Sequence, residues 1–182
     1  MRKVKLFIAM SVDGYIADKN GGVAFLQGHE DCLENESTYS EFIKNIDTVL
    51  MGWNTYNQII TELSPDDWVY DNLLTYVFTH REQQDSDKII FTSDNLEELI
   101  KKLKGVEGKD IWICGGADLV QQAISSDVID EYLISIIPTI LGNGIKLFSQ
   151  NDAEHKLKLI NTITNNGIVE LDYIRRQKLN CR

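Results

Sequence analysis

The sequence predicts an α/β fold in which helices cover both faces of a mixed, mostly parallel sheet and an antiparallel hairpin closes the chain. Three observations predict it. Short apolar runs of strand length alternate with amphipathic segments of helical period through most of the chain. Three of these runs end in glycine-rich or polar corners, "MGWNTY", "FTHR" and "CGGAD", as strands that feed loops or helices do. The last two runs, residues 157–164 and 169–175, alternate with period two around Asn165-Asn166-Gly167, a hairpin turn sequence.

In chain order, residues 4–10 read as the first strand and Asp13-Gly14 as a tight turn. Residues 38–45 are expected to form a short helix, since Tyr39, Phe42, Ile43 and Ile46 fall on one side. A strand over 48–51 stops at Gly52. Asn54 is then expected to cap a helix to about residue 63 that buries Tyr56, Ile59, Ile60 and Leu63. Strands follow at 75–79 and 88–92, and Asn95 or Asp94 starts a helix over 96–103. Residues 111–114 form a central strand, 117–125 the helix after the double glycine, and 132–137 a further strand.

A chain of 182 residues fits one domain, 1–182, able to bury about 70% of the surface its unfolded form exposes. The formal net charge of -10, with no basic block, argues against nucleic acid as a partner. The three cysteines, Cys32, Cys114 and Cys181, lack metal-ligand spacing, so neither a metal site nor a disulfide framework is expected. No apolar stretch approaches the roughly 20 residues of a membrane helix, and the N-terminal run is broken by Ser11 and Asp13. A cytoplasmic protein with reduced thiols is the expectation.

The glycine corners carry the functional signal. Each glycine can simply relieve a turn. Equally, Gly115 and Gly116 lack Cβ atoms, so a pyrophosphate could approach their backbone and lie on the dipole of the following helix. Gly52, with Asn54 and Thr55 behind it, would make a second anion seat of the same kind.

Four segments in order, "KLFIAMSVDGYIAD", "DTVLMGWNTYNQI", "IWICGGADLVQQAI" and "IDEYLISIIPTILGNGIKLF", resemble the dihydrofolate reductase superfamily. They are most similar to its bacterial branch related to the reductase domain of riboflavin biosynthesis. The resemblance covers nearly the whole chain and implies that family's three-layer sandwich, NADPH as cofactor, and a cis Gly115–Gly116 peptide. It also implies positions. Ala9 and Ile16 would flank the nicotinamide, and Gly52, Asn54, Thr55, Gly115, Gly116, Ala117 and Leu119 would bind phosphate. Thr79, His80 and Arg81 would lie near the adenosine end.

The chain departs from that pattern at four places. Trp53 stands where relatives carry an arginine, and Asp118 where a basic residue often follows the glycines. Arg81 and His80 are the nearby replacements for 2′-phosphate recognition. Thr38 aligns with the carboxylate of dihydrofolate reductases, with Glu34, Glu36 and Glu41 nearby, and Cys114 stands where riboflavin-type reductases carry Glu. Asp13, in the Ser-x-Asp-Gly element, is the remaining candidate for a catalytic role, with a turn role as its alternative.

The expected activity is hydride transfer from NADPH to a C=N bond of a pterin- or pyrimidine-like small molecule. One alternative is 5-amino-6-(5-phosphoribosylamino)uracil reduction, with Lys5 and Lys146 as the phosphate contacts. The other is a dinucleotide-binding protein with little turnover. Relatives are often dimers, which implies a homodimer. The apolar run at 132–141 could form its contact, or could be a strand buried on both faces.

Overall fold

In the computed structural model, which describes residues 1–29, 38–148 and 154–176, the alternating pattern becomes an eight-stranded sheet with helices on either face. Strands β1 (Val4–Ser11), β3 (Ile46–Gly52), β4 (Leu74–Phe78), β5 (Ile89–Thr92), β6 (Asp110–Gly115) and β7 (Glu131–Ile137) run parallel. The hairpin β9 (Leu157–Asn165) and β10 (Ile168–Arg175) completes the order β5-β4-β3-β6-β1-β7-β10-β9. β10 runs antiparallel to both neighbours. The fold class is therefore the one the sequence predicts. No helix among the described residues is long and apolar enough to cross a membrane.

Period-two alternation sorts the apolar side chains onto two faces. Val4, Leu6, Ile8, Leu50, Ile111 and Ile113 meet helices α3 (Leu96–Lys104) and α4 (Ala117–Ser125) on one side. Phe7, Val49, Met51, Val77 and Trp112 meet α1 (Thr38–Lys44) and α2 (Trp53–Gln58) on the other. Each fully buried aliphatic side chain contributes about 1.5–3 kcal/mol, so correct alternation selects the register. α3 begins as expected, with the Asn95 side chain accepting from the N–H groups of Glu97 and Glu98. The hairpin turns at Asn166 and Gly167, whose φ values of +48° and +76° suit a mirror-image tight turn.

Several local expectations are corrected. Helix α2 starts at Trp53 with Gly52 as its cap residue, so Asn54 lies inside the first turn and caps nothing. The helix runs on as one π-helical turn, Ile59–Leu63, closed by Ser64 N–H donating to Ile59 O at 2.8 Å. That widening rotates Leu63 off the buried face, leaving it 56% exposed. Two short strands, β2 (Tyr15–Ala17) and β8 (Ile145–Lys146), pair antiparallel and went unread because three and two residues carry no period. β7 lies between β1 and β10 and takes up the apolar run as far as Ile137, while Ile140 beyond it is 74% exposed.

Candidate functional site

The site begins where β3 and β6 end. They are parallel neighbours, with Met51 beside Gly115, so both glycine corners open at the carboxyl end of the same strand pair. A Cβ on Gly52 would lie 3.7 Å from the Gly116 nitrogen, and one on Gly116 would lie 3.3 Å from Thr55 Oγ1. The Gly115–Gly116 peptide is cis, as the resemblance implies, and Gly115 has a φ of +138° that favours glycine. Neither α2 nor α4 has a side-chain cap, so the N–H groups of their first turns remain available at this corner.

These corners form part of a cleft of about 900 Å³, within the range of small-molecule and cofactor sites. Ala9, Ile16, Gly52, Asn54, Thr55, Gly115, Gly116, Ala117 and Leu119 all line it. Thr79, His80 and Arg81 do not. Thr79 Oγ1 instead accepts the Arg81 N–H at 3.0 Å, and His80 is exposed. The Arg81 guanidinium lies 4.9 Å over the ring of Trp53, which does line the cleft, so the arginine stands at its rim.

Asp13 lies outside the lining residues. Its carboxylate accepts from Ser11 Oγ at 2.6 Å and from the backbone N–H groups of Leu141 and Gly142 at 3.1 and 2.7 Å. The Ser11 hydroxyl, followed by the two N–H groups, lowers its pKa to about 2. A carboxylate held ionised this way is a poor proton donor at neutral pH, and it ties the 141–142 loop to the end of β1. The turn role fits this geometry, and the catalytic expectation finds no support in it.

A second wall of the cleft, which adjoins the glycine corners at Cys114, is apolar and aromatic. Phe7 of β1, Ile59, Tyr70 and Cys114 belong to one cluster, joined in the cleft lining by Val23, Leu26 and Leu63. Phe7 stacks on Phe42 with ring centroids 4.6 Å apart, and Tyr70 meets the edge of Trp112 at 5.1 Å. Trp112 packs in the same cluster, donating its indole N–H to Phe7 O at 3.1 Å. Burial pushes the Cys114 thiol up to about 11 despite the Tyr70 hydroxyl 3.8 Å away, and burial raises Tyr70 as well. Both groups therefore stay protonated at neutral pH.

Charge is sparse in the cleft. Among the described lining residues the charged side chains are Lys19, Glu62 and Asp118. Lys19 and Tyr70 sit in no motif and reach the cleft only through the fold, while Gln122, inside the strand–Gly-Gly–helix segment, carries no local signal of a cleft position. Thr38, the first residue of α1, is not in the lining. Glu41 pairs with Lys44 in solvent, while Glu34 and Glu36 lie outside the described residues. The riboflavin-type phosphate candidates are engaged elsewhere. Lys5 pairs with Glu131 at 3.0 Å and Asp110 at 3.1 Å, and Lys146 lies 5.7 Å over the Tyr15 ring.

The comparisons agree with this architecture. The Bacillus subtilis protein YwjB, itself uncharacterized, is 37% identical over 96% of this chain and 98% of its own length. The crystal structure of a protein named for riboflavin biosynthesis, from Shewanella sp. PV-4, superposes with a TM-score of 0.86 at 26% identity, over 96% of this chain and 99% of that one. A diaminohydroxyphosphoribosylaminopyrimidine deaminase/5-amino-6-(5-phosphoribosylamino)uracil reductase from Thermotoga maritima shares the fold at a TM-score of 0.69 and 15% identity, over 96% of this chain and 57% of that one. The model of the RibD C-terminal domain matches residues 2–169. With its fold and its paired glycine corners, the chain belongs to the RibD C-terminal domain family, reductase-like members of the dihydrofolate reductase-like superfamily.

Proposed function

We propose that the protein is an NADPH-dependent reductase acting on a C=N bond of a pterin- or pyrimidine-like heterocycle. The observation that carries this reading is the abutment of two glycine corners at the carboxyl ends of β3 and β6, beside the uncapped start of α4. The residues present fit a dinucleotide. A side chain at Gly116 would crowd Thr55, so glycine keeps the seat open, and the free N–H groups of α4 suit a pyrophosphate. Lys19 adds positive charge to the lining, and Arg81 over Trp53 is the group available for a 2′-phosphate.

NADPH, when bound, supplies the hydride. The chain's own share is to hold donor and acceptor together and to exclude water, which can supply about 7–11 kcal/mol of a barrier through orientation. Ala9 and Ile16 keep the expected nicotinamide position free of polar groups, and Phe7 and Tyr70 wall the space beside it. The carboxylates of the described lining are Glu62 and Asp118; beside Phe7, Ile59, Tyr70 and Cys114, none of them a carboxylate, proton delivery falls to a neutral hydroxyl or to water. That same feature favours the second reading, a dinucleotide-binding protein with little turnover.

Calorimetric titration with NADPH and NADH tests the proposal. NADPH is expected to bind at micromolar concentration and NADH about tenfold more weakly, with Arg81→Ala removing the difference. Absence of binding by either would overturn it. Binding without oxidation of NADPH by a panel of pterins and pyrimidines would select the second reading.

A further inference from the structure

We propose that the molecule reduced in this cleft is an uncharged planar ring without a phosphate arm. The inference rests on the reductase reading above and names its substrate class. It departs from what the Thermotoga maritima neighbour is named for, a phosphoribosylamino substrate.

The apolar wall carries the argument. Phe7, Ile59, Tyr70 and Cys114 form a continuous surface of one packed cluster facing the cleft. Leu26 and Leu63 extend it while remaining 40% and 56% exposed. Partly exposed leucines on a cleft lip suit an apolar ligand face and offer nothing to a phosphate. A phosphoryl arm carries nearly two negative charges and calls for fixed cations or a row of N–H donors.

The cleft offers little of that kind beyond the glycine corners. One lysine and two carboxylates line it among the described residues, and Glu62 lies on the same turn as Leu63. Lys19 is exposed and is already assigned to the dinucleotide above. Lys5 is unavailable for two reasons. It is held between Asp110 and Glu131, and it precedes Ala9 by four residues, about 13 Å back along the strand. Lys146 stacks over Tyr15 outside the lining.

A neutral ring finds better partners here. Its faces meet Phe7, Ile59 and Leu63, and a ring heteroatom can accept from the Tyr70 hydroxyl. The 3.8 Å contact of that hydroxyl with Cys114 is long enough to be given up. In the reduction a bound dinucleotide would supply a hydride, two electrons and one proton, to the C=N carbon. The C=N π bond opens onto nitrogen, which takes its proton from water.

The test uses the full chain with two rings, a dihydropterin and a ribosylaminouracil, each with and without its phosphate. NADPH oxidation is expected to favour the unphosphorylated member by at least about tenfold in kcat/KM, and Leu63→Lys should narrow that gap. Preference for the phosphorylated member overturns the inference while leaving the reductase reading intact. Loss of activity on the phosphorylated member in Lys146→Ala overturns it too. Should NADPH not bind, the reductase reading fails by itself. Quenching of tryptophan fluorescence by the four compounds then still decides the inference. Tighter binding of the unphosphorylated rings supports it, and equal, reversed or absent binding overturns it.

Discussion

The two walls of the cleft are built from different materials. The glycine wall is backbone: two strand ends, a cis peptide and the first turns of two helices, with side chains kept out of the way. The other wall is side chain: Phe7, Ile59, Tyr70 and Cys114, from β1, the π-helical turn, the connection before β4 and β6. A backbone wall can hold only what every dinucleotide shares, its phosphates. A side-chain wall chooses between ring systems and between neutral and charged substrates. On the proposed reading, cofactor class is set by the first wall and substrate class by the second.

Substitution on the glycine wall should produce the largest effect. Gly116→Val puts a branched side chain against Thr55 Oγ1, where the first added carbon already stands at 3.3 Å. NADPH binding is expected to weaken by about 100-fold, roughly 2.7 kcal/mol, while circular dichroism and the cooperative melt remain. Retained affinity would mean that the cradle is not the phosphate seat.

Cys114 stands at the seam between the walls. Its thiol, raised to about 11 by burial, should alkylate about tenfold more slowly at pH 8 than an ordinary cysteine, the small thiolate fraction being partly offset by its greater nucleophilicity. Site-resolved mass spectrometry after timed iodoacetamide treatment measures this. Rapid labelling would show the seam to be open to water.

The smallest effect should fall outside both walls, at Asp13. Its folded pKa, about 2, is below the ordinary carboxylate value, so the unfolded chain binds its proton first. The stability this carboxylate contributes is complete above about pH 4 and is lost as pH falls through about 2. Asp13→Asn should lower the melting temperature at pH 7 and flatten the acid limb in that window, with kcat unchanged. A large loss of kcat at constant stability would restore a catalytic role.

How much of this was legible beforehand follows the same division. The backbone wall was readable because glycine at a strand end is a local signal; of the twelve cofactor positions that the family resemblance implied, nine line the cleft. The side-chain wall was not. Tyr70 and Cys114 are 44 positions apart and share no motif, and only the folded chain brings both to the cleft. Leu63 was expected to be buried on a regular helical period, which the π-helical turn breaks by adding a residue to the ring. Asp13 shows the opposite error. Its turn sequence was visible, but its partners at Leu141 and Gly142 were not, because they return from the far side of β7.

The sequence by itself determined the alternation of strand and helix, the hairpin turn at Asn166-Gly167 and the corners at Gly52 and Gly115-Gly116. Each is a matter of local periodicity or of backbone conformations that few residues adopt. Only the tertiary structure decided that β3 lies beside β6, which makes one site of two corners. It also decided that Lys5 is spent on Asp110 and Glu131, and that an apolar surface lines the same cleft as the glycines. Those outcomes depend on strand order and register. Burial summed over the whole sheet selects both, and no short stretch of chain encodes them.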